Sequence, residues 1–119
     1  MDRLEGDIRS QRISMTKLLL SNSYSITSMA QITDAKITIK SGSSIVIEKT
    51  ITNNGLVVDA PNKFIIITFN TSDFASNKLQ KNKSYTIGFG LKYGALTDFV
   101  PIPLTFSSSN LKILPNPLI

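Results

Sequence analysis

Alternation of apolar and polar residues runs along most of the chain and predicts β-strands. The clearest run covers residues 85–93, where five apolar or aromatic side chains alternate with small or polar ones. Successive side chains of a strand point to opposite faces, so a period of two predicts a strand with one face in the core. The other face carries Gly88 and Gly90, which indicates close approach of another backbone or strong local bending.

A β-hairpin is predicted earlier in the chain. Ala35, Ile37 and Ile39 alternate with lysine and threonine, and the period of two continues over residues 45–51 after a loop that contains Gly42. Two such runs joined by a glycine-containing loop are typical of a hairpin. The Asn-Asn-Gly sequence at 53–55 tolerates positive φ, which predicts a second reversal before a short strand at 56–58.

The run at residues 64–69 differs because it is apolar on both faces and rich in β-branched residues. This composition suits a central strand that is covered on both sides, or a strand at an oligomer interface. The polar residues 70–73 then offer several helix N-caps, so we expect one short helical turn before Leu79.

Residues 100–106 keep the alternation of a strand but contain Pro101 and Pro103. Proline lacks a backbone N–H, and residues two apart direct that group to the same side of a strand. The two prolines therefore predict an edge strand that resists the addition of a further strand.

The remaining segments predict a short strand at 111–114, a weaker strand within 8–15, and a serine-rich loop or bend at 21–28. A total of roughly seven or eight short strands separated by turns predicts an all-β fold, namely an antiparallel two-sheet β-sandwich, Ig-like or jelly-roll-like. A small closed barrel of the oligonucleotide-binding type is the alternative. We expect a single domain over residues 1–119, with 115–119 either a C-terminal arm that grips a neighbour or a segment packed on its own domain.

Composition supports one folded domain. The chain has 119 residues, 41% of them hydrophobic, and no cysteine, so its stability must come from packing and backbone hydrogen bonds. The three leucines at 18–20 are too few for a signal sequence or a membrane span, and the first residues contain no apolar segment. We therefore expect a soluble protein made in the cytoplasm, with no membrane partner.

The net charge of +5 raises the question of nucleic-acid binding, because phosphate contacts need clustered lysine and arginine. The charges are scattered, and the one dense basic group is formed by Lys78, Lys81 and Lys83 around a predicted loop. The distribution favours an ordinary solvated surface. A small basic nucleic-acid-binding β-barrel module remains the alternative function.

Aromatic residues on the strand at 85–93 bear on the same alternative. Tyr85, Phe89 and Tyr93 share one face, as base-stacking aromatics do in RNA-binding sheets. Ile87 and Leu91 lie on that face too, and a mixed aliphatic and aromatic stripe is usually buried. Core packing is the preferred interpretation.

The residue types that most catalytic sites need are missing. Histidine and cysteine are both absent, which removes the commonest general base, the thiolate nucleophile and the preferred ligands of zinc. The triplet of Ser107, Ser108 and Ser109 has no histidine to activate it and is interpreted as a loop. The acidic residues are spread over strands and turns, which favours capping roles. We expect no enzymatic activity, no catalytic, metal-binding or cofactor-binding residue, no cofactor and no small-molecule substrate.

The order of elements resembles the small β-sandwich structural proteins of tailed-bacteriophage virions, of the baseplate, tail and head accessory type. The features that carry this resemblance are Gly6 and Asp7 near the start, the hairpin at 34–51, the segment 70–74 leading to Leu79, the strand that begins with residues 83–85, a turn at Gly94, and the last strand at 111–114. In that group a Gly-Asp pair near the N-terminus and a leucine followed after a short gap by a strand tyrosine recur. The match spans most of the chain.

This sequence departs from that group at Pro101 and Pro103, and we expect no long helical or fibre segment after the domain. The resemblance implies a non-enzymatic virion protein, an accessory, adaptor or decoration component of tail or head. Its partners would be other virion proteins and copies of itself, and its location the virion. The residues predicted for a protein interface are Leu118, Ile119, Ile113, Pro101 and Pro103.

Overall fold

The computed structural model describes residues 1–21, 23–104 and 110–119. Within these ranges the chain forms nine strands: β1 Asp2–Leu4, β2 Gln11–Ser14, β3 Ile32–Ser41, β4 Ser44–Thr50, β5 Leu56–Asp59, β6 Phe64–Ile67, β7 Ser84–Tyr93, β8 Val100–Pro101 and β9 Asn110–Leu114. One short α-helix, α1, spans Thr16–Leu20, and two 3₁₀ helices span Met29–Gln31 and Thr71–Phe74. The short helical turn predicted after residue 70 is confirmed.

The strands form two sheets that enclose one core. The larger sheet has six strands in the order β1-β9-β7-β3-β4, with β8 also paired to β7, and the smaller sheet has the order β2-β6-β5. Apolar side chains from both sheets, such as Ile37 and Phe89 from the larger and Ile13 and Ile65 from the smaller, belong to the same buried cluster. The predicted all-β sandwich is confirmed, and its strands lie in two separate sheets instead of one closed barrel.

The predicted hairpin corresponds to β3 and β4, which pair antiparallel from Lys36 opposite Thr50 to Ser41 opposite Ser44. Gly42 in the turn has a φ of 62°, which glycine adopts without steric cost. The register shifts between Ile39 and Lys40. That shift is a β-bulge, which increases the local twist of the strand pair.

The long strand β7 lies at the centre of the larger sheet, between β3 on one side and β8 and β9 on the other. Its glycines have the predicted close neighbours. A Cβ atom on Gly90 would lie 3.3 Å from the carbonyl oxygen of Val100, and one on Gly88 would lie 2.7 Å from Oγ1 of Thr38. Any side chain at Gly88 would therefore force Thr38 to move.

The apolar run at 64–69 supplies β6, the central strand of the smaller sheet. Ile65 and Ile67 are buried in the core, whereas Phe64 and Ile66 on the opposite face are only half-buried. The central position is therefore confirmed, but the chain does not fully cover the outer face of this strand.

The proline-containing strand is shorter than predicted. β8 covers Val100–Pro101, and residues 105 and 106 lie outside the described residues, as does the predicted serine loop at 107–109. Ile102 donates its N–H to the carbonyl of Phe89 over 2.9 Å. Because neighbouring residues of a strand alternate in direction, Pro101 faces away from β7, as an edge strand requires.

The N-terminal strand β1 was not predicted. Asp2–Leu4 pairs in parallel with β9, with Arg3 opposite Ile113, so the mostly antiparallel larger sheet ends in a parallel pair. Three residues are too few to display a period of two, and the partner strand lies more than 100 residues away in the sequence. This pairing brings the two ends of the described chain together.

Candidate protein interface

The structure separates the five residues predicted for a protein interface. Leu118 and Ile119 are 93% and 81% exposed, whereas Ile113 is fully buried. Leu111 and Ile113 point into the core from β9, and Lys112 between them is exposed. The prediction that Ile113 lies at an interface is therefore wrong, because strand alternation directs its side chain inward.

The two prolines lie on a different edge from the C-terminal residues. Pro101 is exposed and pairs with Gly90 of β7. Pro103 is exposed and borders an apolar cavity together with Leu18 and Ile102. Leu118 and Ile119 instead follow β9 on the side of β1. The predicted residues consequently do not form one continuous surface.

The backbone of residues 115–119 is fixed to its own domain by Asn116. Its side-chain Nδ2 donates to the carbonyl of Glu5 over 2.9 Å, and its Oδ1 accepts the N–H of Leu118 over 2.9 Å. A further turn bond joins the N–H of Ile119 to the carbonyl of Asn116. The segment is therefore packed at its base and also presents two large apolar side chains to solvent.

Glycine at position 6 makes room for this segment. Gly6 has a φ of 77°, and a Cβ atom there would lie 3.3 Å from Cδ1 of Ile119. Leu4 and Ile8, which flank this turn in sequence, are also exposed. We name Leu4, Ile8, Leu118 and Ile119 the terminal apolar surface. Exposed apolar surface is typical of a binding site for another macromolecule, and Ile119 next to Gly6 places part of this set beside the N-terminal turn.

A buried arginine holds the N-terminal turn in place. Arg3 donates from Nη1 to the carbonyls of Asp7 and Arg9 over 3.0 and 2.7 Å, and its guanidinium lies 4.0 Å from the centre of the Phe69 ring. Burial lowers the pKa of Arg3 because it disfavours the charged form. The cation–π contact and the two carbonyls offset part of that cost.

Asp7, whose position contributes to the resemblance, serves this turn directly. Its carboxylate accepts hydrogen bonds from the side chain and backbone of Arg9, with the shortest ion-pair distance at 2.7 Å. These hydrogen bonds lower the pKa of Asp7 to about 2. The carboxylate therefore stays ionised throughout the physiological range and orders the residues that lie beside Leu4 and Ile8.

A buried charge pair joins β4 to the second 3₁₀ helix. Lys49 Nζ lies 2.8 Å from Oδ2 of Asp73, and the two side chains are only 5% and 7% exposed. Asp73 also accepts the N–H of Asn70, the N-cap residue of the second 3₁₀ helix, and is thus the N3 residue of a capping box. Its partner lies 24 residues earlier and has no sequence signal. The pair fastens the helix against β4.

The outer face of the larger sheet carries a cluster of cations around one aromatic ring. The side-chain nitrogens of Lys36 and Lys92 lie 4.9 and 4.5 Å from the centre of the Phe99 ring. Phe99 lies over Gly90, where the missing side chain leaves room for it. Sequence reasoning did not identify this cluster, although the glycines of β7 indicated that something approaches that face.

The aromatic row of β7 is part of the core. Tyr85 and Phe89 are buried, and Tyr93 is half-buried. The hydroxyl of Tyr85 donates to the carbonyl of Lys78 and accepts the N–H of Gln80, so it organises the loop before β7. Core packing, the preferred interpretation of this row, agrees with the structure.

Neither a metal centre nor a membrane span emerges from the described residues. No group of three or more His, Cys, Asp or Glu residues in ranges 1–21, 23–104 and 110–119 is arranged to hold a metal ion. In the same ranges, no helix is long and apolar enough to cross a bilayer.

Comparisons with protein-family models, with curated proteins and with solved structures find no match to this chain. The class is therefore defined by the fold itself, a two-sheet β-sandwich of mostly antiparallel strands. Fold alone does not determine function, so a functional conclusion must come from the surfaces described above.

Proposed function

We propose that this protein is a non-enzymatic structural component of a tailed-bacteriophage virion, an accessory, adaptor or decoration protein of tail or head. It acts through protein–protein interfaces with other virion proteins and with copies of itself. The observation that carries the proposal is the terminal apolar surface, in which Leu118 and Ile119 are 93% and 81% exposed on a backbone that Asn116 holds in place.

Burial of this surface against a partner would lower the free energy of the complex. Full burial of a leucine or isoleucine side chain stabilises a complex by about 1.5–3 kcal/mol. The hydrogen bonds of Asn116 and the ordered turn around Asp7 fix the backbone beforehand. Binding then requires little further ordering of the chain, which preserves more of the burial energy as affinity.

The alternative, a nucleic-acid-binding module, has one observation in its favour, the cluster of Lys36, Lys92 and Phe99. Three features count against it. Both ammonium groups already lie within 5 Å of the ring where a base would stack, and Lys36 is paired with Glu48 over 2.7 Å. Tyr85 and Phe89 are buried and cannot stack on bases. The protein-interface proposal is therefore preferred.

Replacing both Leu118 and Ile119 with serine should reduce incorporation into particles. Each substitution removes apolar burial, so the affinity for the particle should fall about tenfold or more per residue. The measurement is the number of copies per purified particle when the variant competes with the wild-type protein. Leu20→Ser is a matched control, because Leu20 is also 80% exposed but lies on α1.

In this competition, the Leu20 variant should be incorporated like the wild type and the double serine variant should be depleted. Equal incorporation of the double serine variant would remove the terminal apolar surface from the proposal. Binding of the wild-type protein to DNA or RNA that weakens steeply with salt would instead favour the alternative function.

A further inference from the structure

Free strand edges are the other surfaces on which this fold can associate. An edge strand presents unpaired N–H and C=O groups, and proteins usually protect such edges with charged residues, prolines, bulges or covering side chains. The fold has edges at β1, β4 and β8 in the larger sheet and at β2 and β5 in the smaller one.

The edge of β4 is closed by the side chain of Asn53. Its Nδ2 donates to the carbonyl of Glu48 over 3.2 Å, and its Oδ1 accepts the N–H of Thr50 over 2.9 Å. The amide thus occupies the positions that a neighbouring strand would use. The bulge opposite Lys40 further disturbs this edge.

The edges of β1, β8 and β2 carry other protective features. The outward carbonyl of Leu4 in β1 already accepts the N–H of Asp7. Pro101 in β8 faces away from β7 and has no N–H to offer. On β2, Met15 donates its N–H to the carbonyl of Lys63. Because backbone groups alternate in direction along a strand, the N–H and C=O of Arg12 point away from β6. The charged residue Arg12, which is exposed, therefore lies at an outward position of this edge.

Within the described residues, the edge of β5 has no proline and no bulge, and its one charged residue is Asp59 at the end of the strand. Leu56, Val57 and Val58 form a run without charge or proline, and within the described residues β6 is the only strand that pairs with β5. Thr68 donates its N–H to the carbonyl of Gly55. Alternation from this bond leaves the N–H and C=O groups of Leu56 and Val58 on the outer side.

We infer that β5 pairs antiparallel with β5 of a second copy of this chain, about a two-fold axis that passes next to Val57. In this register, Leu56 exchanges two backbone hydrogen bonds with Val58 of the second copy, and the symmetry generates two more. Val57 of each copy lies opposite Val57 of the other, at the close spacing of a non-hydrogen-bonded pair. The two smaller sheets become one continuous six-stranded sheet.

The edge is self-complementary, which is why a second copy fits it. A two-fold interface places the same patch against itself, so like charges must not meet. In the register centred on Val57, Asp59 lies opposite Gly55 of the second copy and faces no other carboxylate. A register centred on Val58 would place Asp59 opposite Val57, where the apolar side chain would remove water from the carboxylate without replacing its hydrogen bonds.

Apolar side chains on the outer face continue across the junction. Val57 is 48% exposed and lies beside Ile66, which lies beside Arg12. In the dimer this row reads Arg12, Ile66 and Val57, followed by the same residues in reverse order. The two arginines lie five strand spacings apart, about 24 Å, which exceeds the Debye length of about 8 Å at physiological salt.

This inference deepens the proposed function by naming the edge through which copies of the chain associate, and it rests on that function for its role in an assembly. A four-residue strand pair buries less area than a typical permanent interface, so the dimer should be reversible. Contacts within a particle would then strengthen the pairing through multivalency.

The test is sedimentation equilibrium of the wild-type chain over a range of concentrations, beside two lysine variants. Val57→Lys places a charge at the two-fold axis. Ile45→Lys is the matched control, because Ile45 is 54% exposed and also belongs to an edge strand, β4. We expect reversible dimers for the wild type and Ile45→Lys, and at least a tenfold weaker association for Val57→Lys.

A second variant keeps the inference testable if Val57→Lys fails to fold. Val58→Pro removes an outward N–H and leaves the bonds to β6 in place, so it should also weaken dimers while circular dichroism stays unchanged. A wild-type chain that remains monomeric up to about 1 mM, or a Val57→Lys variant that dimerises like the wild type, would overturn the inference. Either result would leave the proposed function intact, because presence in particles is measured separately.

Discussion

Replacing Lys49 with methionine should lower the free energy of unfolding by about 3–5 kcal/mol, which is the usual cost of leaving one partner of a buried ion pair alone. Lys49 Nζ lies 2.8 Å from Asp73, and both side chains are almost fully buried. Methionine keeps much of the apolar stem next to Phe69 but leaves the carboxylate without its cation. Urea denaturation at neutral pH measures the loss.

Two further variants distinguish how much of this loss in stability comes from the burial of the pair and how much from its charges. Lys36→Met breaks the pair with Glu48, which is just as short at 2.7 Å but whose side chains are 33% and 43% exposed, and it should cost less than about 1 kcal/mol. The double variant Lys49→Met with Asp73→Leu should recover most of the lost stability, because no unpaired charge remains. Equal losses for Lys36→Met and Lys49→Met would contradict this description of the pair.

Truncating Ile113 to alanine should destabilise the fold by about 2–5 kcal/mol, because it opens a cavity in the core. Ile113 is fully buried in β9 opposite Arg3 of β1. Ile119→Ala is the matched control, since the same side chain is 81% exposed six residues later. It should change stability by no more than about 0.5 kcal/mol. Thermal and urea denaturation of the two variants give the comparison.

The same pair of variants also distinguishes the core from the interface. Ile119→Ala should weaken incorporation into particles without a change in stability, whereas Ile113→Ala should act through stability alone. A stable Ile113→Ala variant would place that residue at the surface, as the sequence alone predicted, and would contradict the structure.

The strands with a clear period of two were predictable. The hairpin of β3 and β4, the long strand β7 and the closing strand β9 each follow from local alternation, because one face of each packs in the core. The same alternation, with Leu111 and Ile113 on either side of Lys112, indicates that Ile113 is buried. The assignment of Ile113 to an interface disregarded this local pattern.

The features that the sequence did not predict depend on long-range contacts. β1 forms only because β9, more than 100 residues later, offers it an edge. Lys49 forms its ion pair with Asp73, which lies 24 residues later in the chain. The side chain of Asn53 hydrogen-bonds the outer edge of β4. Such contacts follow from the topology, which local patterns of hydrophobicity do not specify.

The apolar run at 64–69 shows how sequence and structure complement each other. Its composition predicted either a covered central strand or an oligomer interface. The structure places it as β6 in the centre of a three-stranded sheet, with Ile66 only half-buried next to the exposed Val57. Self-association through β5 would extend this sheet and leave β6 inside it, so the inferred dimer is compatible with the first interpretation, a central strand.

The proposal that this protein is a virion component is tested most directly by quantitative mass spectrometry of purified virus particles from the culture that produces it. The measured quantity is its copy number relative to the major capsid protein. The proposal predicts a fixed ratio, with many copies per particle, that persists through repeated purification. Absence of the protein from purified particles, while it is abundant in the infected cells, would contradict the proposal.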